Sequence, residues 1–245
     1  MNGPVELIGL FLAGIGAGIV NTLAGGGSFL ALAALVWAGL PPHVANATNR
    51  VGVLLQSGVA YATLRAQPTD EAEPAHGWAE FGVVAFAALL GASAAVAVDP
   101  KAFAALLGPL LIMMVAASLA RPAAWSERGE PSAWRWPALA AAGFYGGFLQ
   151  AGVGLLLLPA FVMLGGLEAT TANRRKVAFV GGLTVPALAV YASQGLVAVQ
   201  PAVALALGSA LGGFLGARFS LAGGAKLIRW AVAGVVVLTA IRLWF

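Results

Sequence analysis

Three successive glycines, Gly25, Gly26 and Gly27, cut an apolar stretch that would otherwise read as one membrane-spanning helix. A second apolar stretch, 127 positions later, is cut at Gly152 and Gly154. At that offset Ala24 meets Ala151, Gly25 meets Gly152 and Gly27 meets Gly154. Further along, Gly39-Leu40 meets Gly166-Leu167, and Ala45-Asn46 meets Ala172-Asn173. These seven identities lie within 23 consecutive positions without a gap, which an internal duplication explains better than chance. Lipid cannot satisfy a backbone N–H or C=O, so backbone that leaves the helix at membrane depth must be buried in protein or face water. Paired glycine-interrupted apolar segments in corresponding halves of a chain point to a transporter's binding site.

The membrane reading rests on composition as well. The 245 residues are 60% hydrophobic and 9% charged, with mean hydropathy +0.92. A soluble domain carries roughly 25% charged residues. The apolar runs are continuous and lack the alternation of a β-barrel. The expected fold class is therefore an all-α polytopic membrane protein. The net charge of +4 does not argue for nucleic acid, because Lys and Arg concentrate in the cytoplasmic loops of membrane proteins. There is no cysteine, so no disulfide, thiolate metal site or thiol nucleophile is expected. The N-terminus lacks a basic n-region and carries Glu6, so it reads as a retained first helix rather than a signal peptide.

Helices are expected at about 5–23, 28–37, 44–65, 78–98 and 101–120, then at about 136–149, 155–164, 170–193, 200–219 and 225–244. Segments 28–37 and 155–164 span only half a bilayer at about 1.5 Å per residue. The polar linker 121–135 divides a first transmembrane repeat, 1–120, from a second, 136–245. If each glycine-broken pair returns to the side it entered, Arg65, Arg121, Arg128, Arg135, Arg174, Arg175, Lys176, Arg218, Lys226 and Arg229 share one side. Arg50, Lys101 and Arg242 take the other. That asymmetry favours a broken hairpin plus three full helices per half, a cytoplasmic linker and periplasmic termini. Such a unit has odd parity, so the two halves would be inverted repeats.

The short helices starting near Ser28 and Leu155 would present their N-termini inside the protein. Each carries about half a positive charge and unpaired N–H groups, which suit a small anion without any buried Lys or Arg. Candidate substrate-binding residues are Gly25, Gly26, Gly27 and Ser28 at the first break and Gln150, Gly152 and Gly154 at the second. The phase-related polar clusters add Asn46, Thr48, Asn49, Arg50 and Asn173, and Gln56 follows on the third helix. Neutral amides inside a membrane usually find partners or ligands. Capping and interfacial snorkelling suffice for Thr170, Thr171, Arg174, Arg175 and Lys176. Packing is the default for Tyr145 and Tyr191, and Glu6, Glu80 and Asp99 read as helix-terminal. Neither a phosphate-binding glycine loop nor an H-E-x-x-H metal motif is present, and no cofactor is expected.

The stretch from Gly14 to Leu30 and the later Gly39-Leu40-Pro41-Pro42-His43-Val44-Ala45-Asn46-Ala47-Thr48-Asn49-Arg50 resemble the TauE/SafE family, also called the 4-toluene sulfonate uptake permease family. The match lies in Gly25 to Gly27, the Gly39 to Pro41 turn and the Ala45 to Thr48 signature, and Gly146 to Pro159 resembles the family's repeated segment. The resemblance implies a bacterial inner-membrane transporter of sulfite, sulfonates or related organosulfur anions. It implies a small anionic substrate as partner, and a homodimer is possible. An anion channel and an intramembrane enzyme acting on lipid are the alternatives.

Overall fold

The computed structural model describes residues 3–66, 77–120 and 127–219, and every regular element among them is helical. Helices α1 (Pro4–Ala24), α2 (Ser28–Trp37), α3 (Pro42–Arg65), α4 (Gly77–Ala97) and α5 (Pro100–Ala120) form the first half. The second half holds α6 (Arg135–Phe148), α7 (Val153–Pro159) continued by a π-helical turn (Ala160–Leu164), α8 (Ala169–Ser193) and α9 (Val199–Phe219). The expected helix at 225–244 and the first part of the linker lie outside the described residues. The helix α1, and α4, α8 and α9, are long and apolar enough to cross a membrane, whereas α2 and α7 are short.

Glycine decides where the chain turns. Gly25 has φ +83° and Gly152 has φ +80°, so the left-handed residue falls at the same phase in both breaks. Gly39 (φ +92°) and Gly166 (φ +66°) repeat the coincidence one short helix later. L-residues pay for that conformation and glycine does not. At its break α1 ends in a left-handed cap, with the Gly25 N–H donating to the Asn21 carbonyl.

Small residues decide which helices touch. A Cβ added at Gly208 would strike the backbone of Phe11, one at Gly212 that of Ile15, and one at Gly216 that of Ile19. The register advances together, so α1 and α9 run parallel in close backbone contact. Ser209 lies against Gly52 and Gln56 against Gly213, so α3 runs parallel to both. The helices α1 and α3 thus point the same way, and α2 carries the chain back between them. In the second half, Gly143 and Gly147 pack on Val84 and Ala88 of α4, and Phe81 of α4 lies on Gly182. Gly77 meets Arg175, which makes α4, α6 and α8 a second parallel trio. The trios meet along α3 and α8, which are antiparallel: Asn46 reaches Tyr191 while Ser57 lies against Gly181. The first helix of each half therefore packs on the fourth helix of the other.

Candidate functional site

The two breaks touch. A Cβ on Gly25 would come within 2.8 Å of the Gly154 Cα, and one on Gly154 within 2.7 Å of the Gly25 Cα. Gly152 lies under the Phe29 ring, which is buried. Gly27 packs on the backbone of Ala17 and Asn21, so α2 folds back tightly on α1. Gly26 meets only the Phe29 ring, and Ser28 is buried in the first turn of α2.

Ending a helix inside the protein leaves carbonyls without intrahelical donors. At the end of α6 these are the carbonyls of Gly146, Gly147 and Phe148, and side chains of α3 and α8 take them. Arg50 Nη1 donates to the Gly146 carbonyl at 3.1 Å and to Gln150 Oε1 at 2.6 Å, and Nη2 donates to the Gly147 carbonyl. Asn46 Nδ2 donates to the Phe148 carbonyl at 3.0 Å, as does the Tyr191 hydroxyl at 2.8 Å. The Arg50 guanidinium lies 4.5 Å from the centre of the Tyr191 ring. At the end of α1 the cation is Lys176 of α8. Its Nζ donates to the Thr22 carbonyl at 3.2 Å, the Asn21 carbonyl at 3.4 Å and Asn173 Oδ1 at 2.7 Å. The third helix of each half thus supplies a cation to the broken helix of the other.

Both cations are removed from solvent, with Arg50 at 0% and Lys176 at 1% exposure. Burying a charge costs several kcal/mol, and a helix C-terminus, with about half a negative charge, offsets part of that. Arg50 meets only neutral acceptors among the described residues, and its Nε has no partner there. Asn49 is 1% exposed, and among the described residues neither its amide nitrogen nor its amide oxygen has a partner; Asn46 Oδ1 likewise has none among them. Gln56 is tied in, accepting from Asn21 Nδ2 at 2.6 Å and donating to Thr22 Oγ1 at 3.0 Å. Gln150 donates to Thr184 and holds φ +65°, the one left-handed non-glycine among the described residues. A side chain in that conformation costs about 1–3 kcal/mol and clusters at functional sites.

The structure corrects several expectations. The helix ends are expected to hold an anion without a buried Lys or Arg, with Arg50 a candidate toward one membrane face; both Arg50 and Lys176 are buried at the helix ends instead. Lys176 is buried in the core rather than snorkelling at the interface. Glu80 does lie in the first turn of α4, but it is 5% exposed, and its carboxylate accepts from Arg175 at 2.6 Å and pairs with Arg135 at 3.1 Å. Tyr191 holds the α6 end rather than only packing. Thr48 stands apart from the breaks, accepting from the Ala198 N–H in the turn before α9. Lys176, Asn21, Thr22, Tyr191 and Thr184 were missed. The repeat carried the signal for Lys176: it stands at the phase of Asn49, three residues after Asn173 as Asn49 follows Asn46.

The profile of the family described as "Sulfite exporter TauE/SafE" matches residues 10–243. A protein of Sinorhizobium sp, named "Probable membrane transporter protein ORF9", is 30% identical over 241 residues, covering 96% of this chain and 90% of that protein. No solved structure matches the chain. With a helical, membrane-spanning fold and a match along nearly its whole length, the chain belongs to the TauE/SafE family of membrane transporters.

Proposed function

We propose that this protein is a secondary transporter that carries a small anion, namely sulfite, a sulfonate or a related organosulfur anion, and holds it where the two helix breaks meet. One observation carries the reading: the buried Arg50 guanidinium has only neutral partners among the described residues, and the preceding residue on α3, Asn49, is buried with an amide that has none among them. An anion at that level would supply the charge that Arg50 lacks and an acceptor for Arg50 Nε and Asn49 Nδ2. The description of the family as sulfite exporters favours a sulfur oxyanion.

The mechanism proposed is alternating access between inverted repeats. The support is the antiparallel course of α3 and α8 and the exchange of packing partners between the halves. The cations suggest how the halves are coupled. Arg50 and Lys176 each hold the other half's broken helix, so drawing either toward substrate frees carbonyls that must find new donors. We place the protein in a bacterial inner membrane with periplasmic termini, on the distribution of Lys and Arg. Arg50 and Lys176 drop out of that count because they are buried, and the asymmetry stands without them.

The test is flux into proteoliposomes of purified protein, with sulfite, sulfoacetate, an aromatic sulfonate, sulfate and chloride offered in turn. Saturable uptake of one sulfur anion, competed by its analogues, is the expected result. Flux that never saturates would make the protein a channel. Absence of flux for every anion from folded protein would overturn the reading.

A further inference from the structure

A groove of about 500 Å³ runs between α3, α4 and α8, outside the cation-capped breaks. One end is lined by Tyr61 near the end of α3, by Gly77 and Trp78 at the start of α4, and by Thr171 and Arg174 in the first turns of α8. The other end reaches Leu54 and Val185, in the middle of their helices. From Thr171 to Val185 the groove runs 14 residues along α8, or about 21 Å at about 1.5 Å per residue. Half of a bilayer core is about 15 Å. The groove is therefore as long as one lipid leaflet with its headgroup level.

Its chemistry is graded along that length. Trp78 is 86% exposed, as expected of a residue at the membrane–water boundary. Beside it, Arg174 has no hydrogen bond or ion pair to a described residue, whereas Arg175 is occupied by Glu80. Thr171 is 3% exposed and its hydroxyl has no partner among the described residues. Below this polar end the walls are Phe81, Phe179, Leu54 and Val185. A cation and an unpartnered hydroxyl at headgroup depth, above a slot with apolar walls, match one molecule: an anionic phospholipid.

We infer that the α3–α4–α8 groove binds an anionic phospholipid, its phosphate on Arg174 and Thr171 and one acyl chain lying toward Val185. This assignment does not depend on the anion site at the breaks. Phosphate oxygens accept from the guanidinium and from the Thr171 hydroxyl, and the chain covers walls that face lipid anyway.

The probes are phosphatidylglycerol and phosphatidylcholine of identical acyl chains, added to purified protein in detergent and counted by native mass spectrometry. One phosphatidylglycerol per chain should be retained, with about five-fold preference over phosphatidylcholine, the value of one cation near an anionic headgroup. Arg174→Gln should reduce that preference to near unity while leaving saturable anion flux in place. Gly58→Phe should exclude both lipids, because a Cβ there meets no atom within 4 Å and the ring can fill the slot. If Gly58→Phe fails to fold, Arg174→Gln decides. Equal retention of both headgroups by the native protein, or equal retention of phosphatidylglycerol by both variants, overturns the inference. So does loss of anion flux in Ser57→Ala with lipid retention unchanged, which would make the groove a passage for substrate; Ser57 lines it and its hydroxyl has no partner among the described residues.

Discussion

Replacing Gly25 with alanine separates two roles that a glycine can play, because Gly39 provides an internal control. Both residues have left-handed backbones, φ +83° and φ +92°, so an added Cβ costs each about 1–2 kcal/mol in conformation. At Gly39 the new atom meets nothing within 4 Å. At Gly25 it arrives 2.7 Å from the Gly154 carbonyl carbon and 2.8 Å from the Gly154 Cα. Reaching ordinary contact at 3.4 Å requires the second break to retreat by about 0.7 Å, and overpacking of that kind costs about 1–3 kcal/mol. Gly39→Ala should therefore lose about 1–2 kcal/mol and Gly25→Ala about 2–5 kcal/mol. Reversible unfolding in mixed micelles, titrated with a denaturing detergent, measures the difference. Flux per folded molecule measures its consequence. Gly39→Ala should transport as the native protein does, and Gly25→Ala should lose most of its flux because the touching breaks are pushed apart. Equal losses of stability and of flux in the two variants would refute the reasoning.

Three further substitutions test the site and its supports. Arg50→Gln removes a charge-assisted contact to the anion, worth about 1.5–3 kcal/mol, so the concentration for half-maximal flux should rise about 10- to 150-fold. Asn49→Leu removes two buried polar atoms that lack partners among the described residues, so it should raise stability by about 1–3 kcal/mol while lowering flux; flux unchanged in this variant would remove Asn49 from the site. Glu80→Gln leaves Arg135 and Arg175 without their shared carboxylate inside the protein and should cost about 3–5 kcal/mol, read as a lower unfolding midpoint.

The glycine breaks and the two later turns were legible because backbone conformation leaves a residue-specific trace. Gly25 and Gly152, and then Gly39 and Gly166, carry the same left-handed φ at the same offset. Short α2 followed from the Pro41-Pro42 turn that stops it. What stayed hidden was which way side chains point. Arg174 and Lys176 are two residues apart, about 200° around a helix, so one lies at the groove and the other in the core. Composition treats both as basic residues near a loop. Glu80 was obscured in the same way: only tertiary packing brings Arg135 and Arg175, 55 and 95 positions away, to its carboxylate. Asn46 and Asn49 were found because an amide within an apolar helix is conspicuous, and the structure then divides them. Asn46 donates to the end of α6, whereas Asn49 has no partner among the described residues.

The central claim is that an anion is held where the breaks meet, close to Arg50 and Asn49. The most direct measurement is anomalous diffraction from crystals of the protein grown with selenite, a sulfite analogue whose selenium locates itself. The account predicts one selenium peak per chain within hydrogen-bonding range of Asn49 and Arg50 and beside the Gly25–Gly154 contact, lost in Arg50→Gln crystals. A peak confined to the basic surface residues, or one that persists at the breaks in Arg50→Gln, would contradict it.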